Sequence, residues 1–454
     1  MSLQTPLLHD DELNIDDPPT RDHSNEEFPR LVKARKLVQR TWKRYRRYCL
    51  TIIIPIIILA FLLVIAVVSA NEDRWYLPAE DEKLADDPRL EKYQTTADAL
   101  FCADWIDTRD NISQSILSTA SFTLSPETDL TFFLSRGGST SGHFNLDGEG
   151  ASSGKIAVEV VAQYEDTEEG RMELTRSKVC LAGQENEQGI MLWADLEAIL
   201  SHIKFNISVH LPTDVRKLHD ISTDFTNGVF PHSTKDILPP FGVVRMNARN
   251  ASMHIETMVA SSTFVQTSNA KVNCDLWSLD SAYVQTSNAP VFATLMTLGQ
   301  HEGAETSVSV RTSNGPLTAF LATASDFSHT KFNASIHTSN GKLWVSSPRS
   351  DVAPAKSVFM LDASTSNAPA FLYLYPNYEG SFELETTFAG KAMVNYDPST
   401  SDGNGRKRVV DMHRTHQRSH KAGSIYWDKE SRGDLGHIGL RSTKKDVVID
   451  ATRA

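Results

Sequence analysis

The chain has 454 residues, 45 Lys and Arg against 57 Asp and Glu, and a formal net charge of −12. Its length allows two to three domains, and four cysteines are too few for a disulfide-dense scaffold. An acidic balance that falls beyond residue 70 argues against nucleic acid as a partner, because such binding is dominated by Lys and Arg neutralising phosphates.

Residues 1–48 open polar and acidic, with Pro18-Pro19 and no periodicity, and are expected to be disordered. Leu7-Leu8 before Asp10, Asp11 and Glu12 loosely resembles a dileucine sorting signal but lacks the upstream acid. A basic run follows, from Arg30 to Arg47, with Trp42, Tyr45 and Tyr48 among the charges. Leu50–Ala70 is then uncharged and 21 residues long. As a helix it would cross a hydrocarbon core of about 30 Å, so residues 49–70 are expected to be a transmembrane helix that Pro55 kinks. A cleaved signal peptide fits less well, since the apolar run is long and starts late.

The basic side precedes this segment, and Glu72, Asp73, Glu80, Asp81 and Glu82 follow it. The positive-inside rule therefore predicts a single-pass protein with a cytosolic N terminus and an extracellular or lumenal C-terminal part. The glycosylation sequons at Asn111, Asn206, Asn250 and Asn333 all follow the segment, in agreement with that orientation. Cys49 stands at the membrane boundary, where S-palmitoylation and an unmodified thiol are both open.

Residues 71–100 read as a charged stalk containing Pro78 and Pro88. Residues 101–240 read as an antiparallel β module, from alternation in Ile156-Ala157-Val158-Glu159-Val160-Val161 and in Phe205-Asn206-Ile207-Ser208-Val209. Residues 241–454 carry a repeat. Thr-Ser-Asn followed by Ala or Gly recurs with its asparagines at Asn269, Asn288, Asn314, Asn340 and Asn367, at steps of 19, 26, 26 and 27 residues. Small or apolar residues flank each corner in register: Val265, Val284, Val310, Ile336 and Ala363 before it, and Val272, Val291, Leu317, Leu343 and Ala370 after it. Positions two apart are the signature of a strand with one buried face, and Asn tolerates a tight corner. The fold class expected is an all-β ectodomain, a β-solenoid or stacked β-repeat with an antiparallel module at its start, plus one transmembrane helix and a disordered tail. A β-sandwich with a shared turn preference is the alternative.

Cys274 falls in a slot where other repeats carry Ala, Val or Leu, as a buried free thiol would. That leaves Cys102 and Cys180 as the expected disulfide, although connectivity is not fixed by sequence. His413, His416 and His420 have a ligand-like spacing, but Arg414, Arg418 and Lys421 interleave them and disfavour a cation. The better reading of the basic stretch 405–421 is a solvated loop, whose positive charge could hold an anionic polymer. Trp344, Phe371, Tyr373 and Tyr375 lie on outward positions of the repeat. They either pack under a neighbouring segment or form a platform for sugar rings or another protein.

These corners and strands resemble the adhesin-like β-repeat domain of bacterial and fungal surface proteins. The longer layout resembles uncharacterised fungal membrane-anchored proteins with such a domain. Its marks include Phe101-Cys102-Ala103-Asp104-Trp105, Val179-Cys180-Leu181, Val209-His210-Leu211-Pro212, Gly405-Arg406-Lys407-Arg408-Val409 and Gly423-Ser424-Ile425-Tyr426-Trp427. The resemblance implies stacked β structure and no known activity. The function expected is a non-catalytic structural, adhesive or binding role at a cell surface or in a secretory organelle, with no cofactor or metal. Its partners would be the lipid bilayer and cell-wall polysaccharide or another surface protein. A polysaccharide lyase or hydrolase on the same scaffold is the alternative, although acids are scarce on the outward positions and no nucleophile, phosphate-loop, dinucleotide or zinc motif is present.

Overall fold

A computed structural model describes residues 87–452, apart from the short segments 110–114, 138–139, 152–153, 185, 195–202, 226–227, 236–237, 326, 328, 350–356, 376–377, 400, 402–405, 414–416 and 428–435. The chain divides into two compact units, Met1–Asp81 and Glu82–Ala454. The first lies wholly outside the described residues, as do the expected tail, Cys49 and the apolar stretch Leu50–Ala70.

The described part of the second unit is built on one hydrogen-bonded sheet of 28 strands. Two parallel ladders meet at the Thr-Ser-Asn corners. The ladder before the corners runs through the ends of Met253–Thr267 and Val272–Thr286, then Glu305–Thr312, Lys331–Thr338 and Val358–Thr365. The ladder after them runs from the starts of the same two long strands through Val291–Gly299, Leu317–Ser325, Leu343–Arg349 and Ala370–Tyr373. Residues at equal offset from the corner stack directly: Val272 pairs with Val291, that with Leu317, that with Leu343, and that with Ala370. Their side chains, with those of Val265, Val284, Val310, Ile336 and Ala363, are fully buried in one core cluster. Period-two alternation fixes this register, because a one-residue slip would turn every aliphatic to solvent.

The corner residues divide the work of holding rungs together. The buried Thr267, Thr286, Thr312, Thr338 and Thr365 hydroxyls donate to the carbonyls of Ala251, Ala270, Ala289, Gly315 and Gly341 on the preceding rung, at 3.0–3.3 Å. The amide N–H of Asn288, Asn314, Asn340 and Asn367 donates to the Ser carbonyl one rung back at 2.8–3.2 Å. Each such bond stabilises by about 1 kcal/mol net, and a buried hydroxyl left unpaired would cost more than that.

At the start of the unit the same two ladders are begun by antiparallel pairs. Ser177–Gln184 pairs with Glu187–Ala194, and Ile156–Glu165 with Lys204–Pro212. From there Leu130–Gly137 and Asp220–Phe225 lead one ladder into Phe241–Ala248. Cys102 and Cys180 face each other across an antiparallel pair and are disulfide-bonded, at a sequence separation of 78. Closing a loop of that length removes about 4 kcal/mol of unfolded-chain entropy. Cys274 is free and buried.

Part of the stretch read as a stalk lies against this sheet. Tyr93 is fully buried and stacks on Phe132 at 4.6 Å. Arg89 bridges Asp87 and Asp220, at 2.8 Å to each.

Two expectations are corrected. The stack does not close into a solenoid. Chain order breaks at its far end, where Gly436–Ser442 returns to lie between Val358–Thr365 and Gly380–Thr386. An antiparallel hairpin, Val409–Met412 with His420–Tyr426, is joined to the same sheet. Nor do the described residues contain a counterpart of the expected membrane helix. Among the described residues no helix is long and apolar enough to cross a membrane, and the one α-helix, Glu168–Arg176, has nine residues and a polar sequence. The expected single-pass localisation with a cytosolic N terminus is therefore not supported by the described residues.

Candidate functional site

The corners place an amide ladder along the surface. The Nδ2 of Asn269 donates to Oδ1 of Asn250 at 2.6 Å. Asn288 donates to Asn269, and Asn314 to Asn288, at 2.5 Å each. Asn340 donates to Asn314 at 2.6 Å, and Asn367 to Asn340. The ladder thus begins one rung before the repeat read from sequence. Asn250-Ala251 stands 19 residues before Asn269, the same step as Asn269 to Asn288, and that signal could have found it. A further rung at the other end has Lys444 where the others have Asn, and Ser442 takes the threonine's place, donating to the Ala368 carbonyl at 2.9 Å.

Just after the corners, the outward face of the second ladder carries the aromatic residues. Phe292, Trp344 and Phe371 share one column with Asn273 and Thr318. Phe320 and Tyr373 share the next column with Asp275, Thr294 and Ser346. Phe292 meets Phe320 at 5.4 Å between ring centroids and Trp344 meets Phe371 at 6.3 Å. Tyr373 and Tyr375 meet edge-on at 5.2 Å. Phe292 and Trp344 are 43 % and 45 % exposed and are not packed away under a return segment, whereas Phe371, Tyr373 and Tyr375 are half-buried. An open groove of about 410 Å³ continues the strip, lined by Lys271, Asn273, Pro290, Val291, Phe292, Pro316 and Thr318. Rungs about 4.8 Å apart make the face from Lys271 to Phe371 about 19 Å long.

The face is rigid because its backbone is locked. Carbonyls of Lys271, Pro290, Pro316, Lys342 and Pro369 each accept from the backbone N–H that opens the strand one rung back, at 2.9–3.1 Å. At its far end Arg408 is buried and donates to the Tyr375 carbonyl at 3.1 Å, with its guanidinium 5.7 Å from the Trp427 ring. Burial pushes that guanidinium down to about 10.

The outward face before the corners is charged. Asp362 and Glu383 flank Gly439 in one column. Arg441 lies 3.8 Å from Asp362 and 3.7 Å from Glu385. His420 lies 3.0 Å from Glu383 and holds that carboxyl below its usual range. His337 bonds the Ser335 and Ser364 hydroxyls at 2.8 and 2.7 Å, and burial lowers its affinity for a proton. Within the loop 405–421, His413 and His420 are among the described residues and His416 is not. Among the described residues no three ligand-type side chains converge as a metal site.

Of the sequons, Asn111 lies outside the described residues. Asn206 and Asn333 are within strands, the latter donating to Glu305 at 2.6 Å. Asn250 is exposed in a turn at φ 57°.

No family profile and no curated protein matches the chain. Two solved structures are similar over 74 % of it: a proposed cell adhesion protein from Clostridium sporogenes, 7 % identical with 99 % of that chain covered and a TM-score of 0.17, and a proposed adhesin from Bacteroides fragilis, 9 % identical with 96 % covered and a TM-score of 0.29. At such TM-scores the likeness carries no argument about this chain.

Proposed function

We propose that this chain is a non-catalytic adhesion module of the adhesin-like β-repeat kind, and that it holds a polysaccharide on the outward aromatic face. The carrying observation is the run of rings on successive rungs, with Phe292, Phe320 and Trp344 exposed and Phe371 half-buried beside Trp344. Flat apolar rings on a fixed backbone can stack sugar rings at little cost in side-chain order. A disulfide in the same unit suits an oxidising, surface or secretory setting. The hydrolase alternative needs one carboxyl kept protonated near neutral pH. Glu383 is held ionised by His420 instead, and Asp362 and Glu385 both lie against Arg441.

The test is affinity electrophoresis of the full chain through gels containing plant, fungal and bacterial polysaccharides. Trp344→Ala is expected to weaken retention about tenfold, the effect of removing a central aromatic anchor. Retention unchanged by Trp344→Ala and Phe292→Ala together would overturn the reading. So would retention by none of the polymers.

A further inference from the structure

We infer that the polymer held on this face is an acidic polysaccharide, one bearing carboxylates along its length; this rests on the binding reading above. The strip nearest the corners carries Lys271, Pro290, Pro316, Lys342 and Pro369 on five successive rungs, fixed in line by the carbonyl ladder. Among these five residues the charges are the two ammonium groups, three rungs or about 14 Å apart at the backbone, and the same ladder runs on through Asp446 and Lys391. Proline at the other three positions leaves no backbone N–H there, so these lysines are the strip's ionic donors.

Both lysines are exposed, and among the described residues neither is paired with a carboxylate. Lys342 lies 5.7 Å from the Trp344 ring and 5.1 Å from Phe371, which sets a positive charge beside two stacking platforms. Lys271 borders the open groove at the other end, beside Phe292.

The acids nearby are directed elsewhere. Asp275, in the next column, accepts from the Trp277 indole at 3.1 Å. Asp450 accepts from Thr452 at 2.7 Å, and Asp446 from the Lys391 amide at 2.8 Å. Glu256, beyond the first rung, lies 3.8 Å from His254.

A neutral glycan would use the rings and leave both ammonium groups idle. A polymer with a carboxylate on successive sugars can set one near each lysine while its rings cross Phe292 and Trp344. Such contacts act as point charges, so they favour a flexible polyanion over a ligand needing fork geometry.

Polygalacturonate and the same polymer after carboxyl reduction, which leaves it neutral, separate the possibilities in one titration with the full chain. The expected result is at least about tenfold tighter binding of the charged polymer at low salt, falling as salt is added. The Lys271→Gln, Lys342→Gln double variant is expected to bind the two polymers alike. Trp344→Ala is expected to weaken both. Equal binding of both polymers by the native chain overturns the acidic-ligand inference and leaves the binding reading intact. Equal loss of both polymers in the lysine variant also overturns it, since the lysines would then not read charge. Binding of neither polymer, while another neutral glycan is retained, overturns it too. Retention of no polysaccharide at all removes the binding reading itself.

Discussion

Replacing Gly341 by alanine is expected to destabilise the fold by about 3 kcal/mol. An added Cβ at this corner would sit 1.7 Å from the Gly315 carbonyl oxygen and 2.3 Å from its carbon. Gly315 meets Ala289 in the same way, at 1.9 Å. The obstacle is backbone, so no rotamer change relieves it, and the rungs must part. Parting them breaks the Thr338 bond to Gly315 and strains the Asn340 bond to Asn314. Chemical denaturation should show the loss as a lower midpoint. Ala368→Gly, at the next corner, provides the control and should cost only about 1 kcal/mol or less.

The second large effect is on acid stability, through His232. This ring is 2 % exposed, in contact with Phe144 and Phe225 at 5.1 and 5.4 Å. Its Nδ1–H donates to the Phe230 carbonyl at 2.7 Å, leaving Nε2 to accept from the Thr223 hydroxyl at 3.0 Å. Desolvation lowers its pKa from 6.5 to about 4. The unfolded ring therefore takes up a proton near pH 6.5, and the folded ring holds none until about pH 4. Between those values the unfolded state binds more protons, so stability falls as the pH drops, by on the order of 3 kcal/mol at pH 4. Urea midpoints at pH 7 and pH 4.5 check this. His232→Gln should flatten the difference between them, whatever it does to stability at neutral pH. An equally steep loss in that variant would assign the acid sensitivity to other groups.

The β character and the rung register were legible because every layer reuses one corner. Thr, Ser and Asn have separate hydrogen-bonding tasks there, so the triplet is held fixed while loops between rungs vary in length. The outward placement of Trp344 and Phe371 follows from period two counted from the same corner. Asn250 and Ser442 were harder to read, because each keeps only part of the triplet. Ser442 retains the hydroxyl and Lys444 replaces the ladder asparagine. The end of the stack was not legible. Gly436–Ser442 enters between strands that precede it by some 50 to 80 residues, and local periodicity cannot say which edge a returning strand will take. The β-solenoid reading followed from extending the repeat beyond the five rungs that specify it. The lysine strip was missed as a feature because Lys271 and Lys342 acquire meaning only when prolines from the rungs between them are seen in line.

The account depends on rungs stacked in register, since only then do Phe292, Trp344 and the two lysines share one face. Pulsed electron paramagnetic resonance on spin labels at Ser268→Cys and Ser366→Cys tests this directly, with Cys49→Ser added. Cys274 is buried with its thiol pKa raised, and Cys102 and Cys180 are bonded to each other, so the labels go to the intended corners. Four rungs separate those corners, and the account predicts one narrow distribution centred about 19 Å at the backbone, plus the label arms. A broad distribution, or a separation beyond about 35 Å, far longer than four rungs can span, would contradict it.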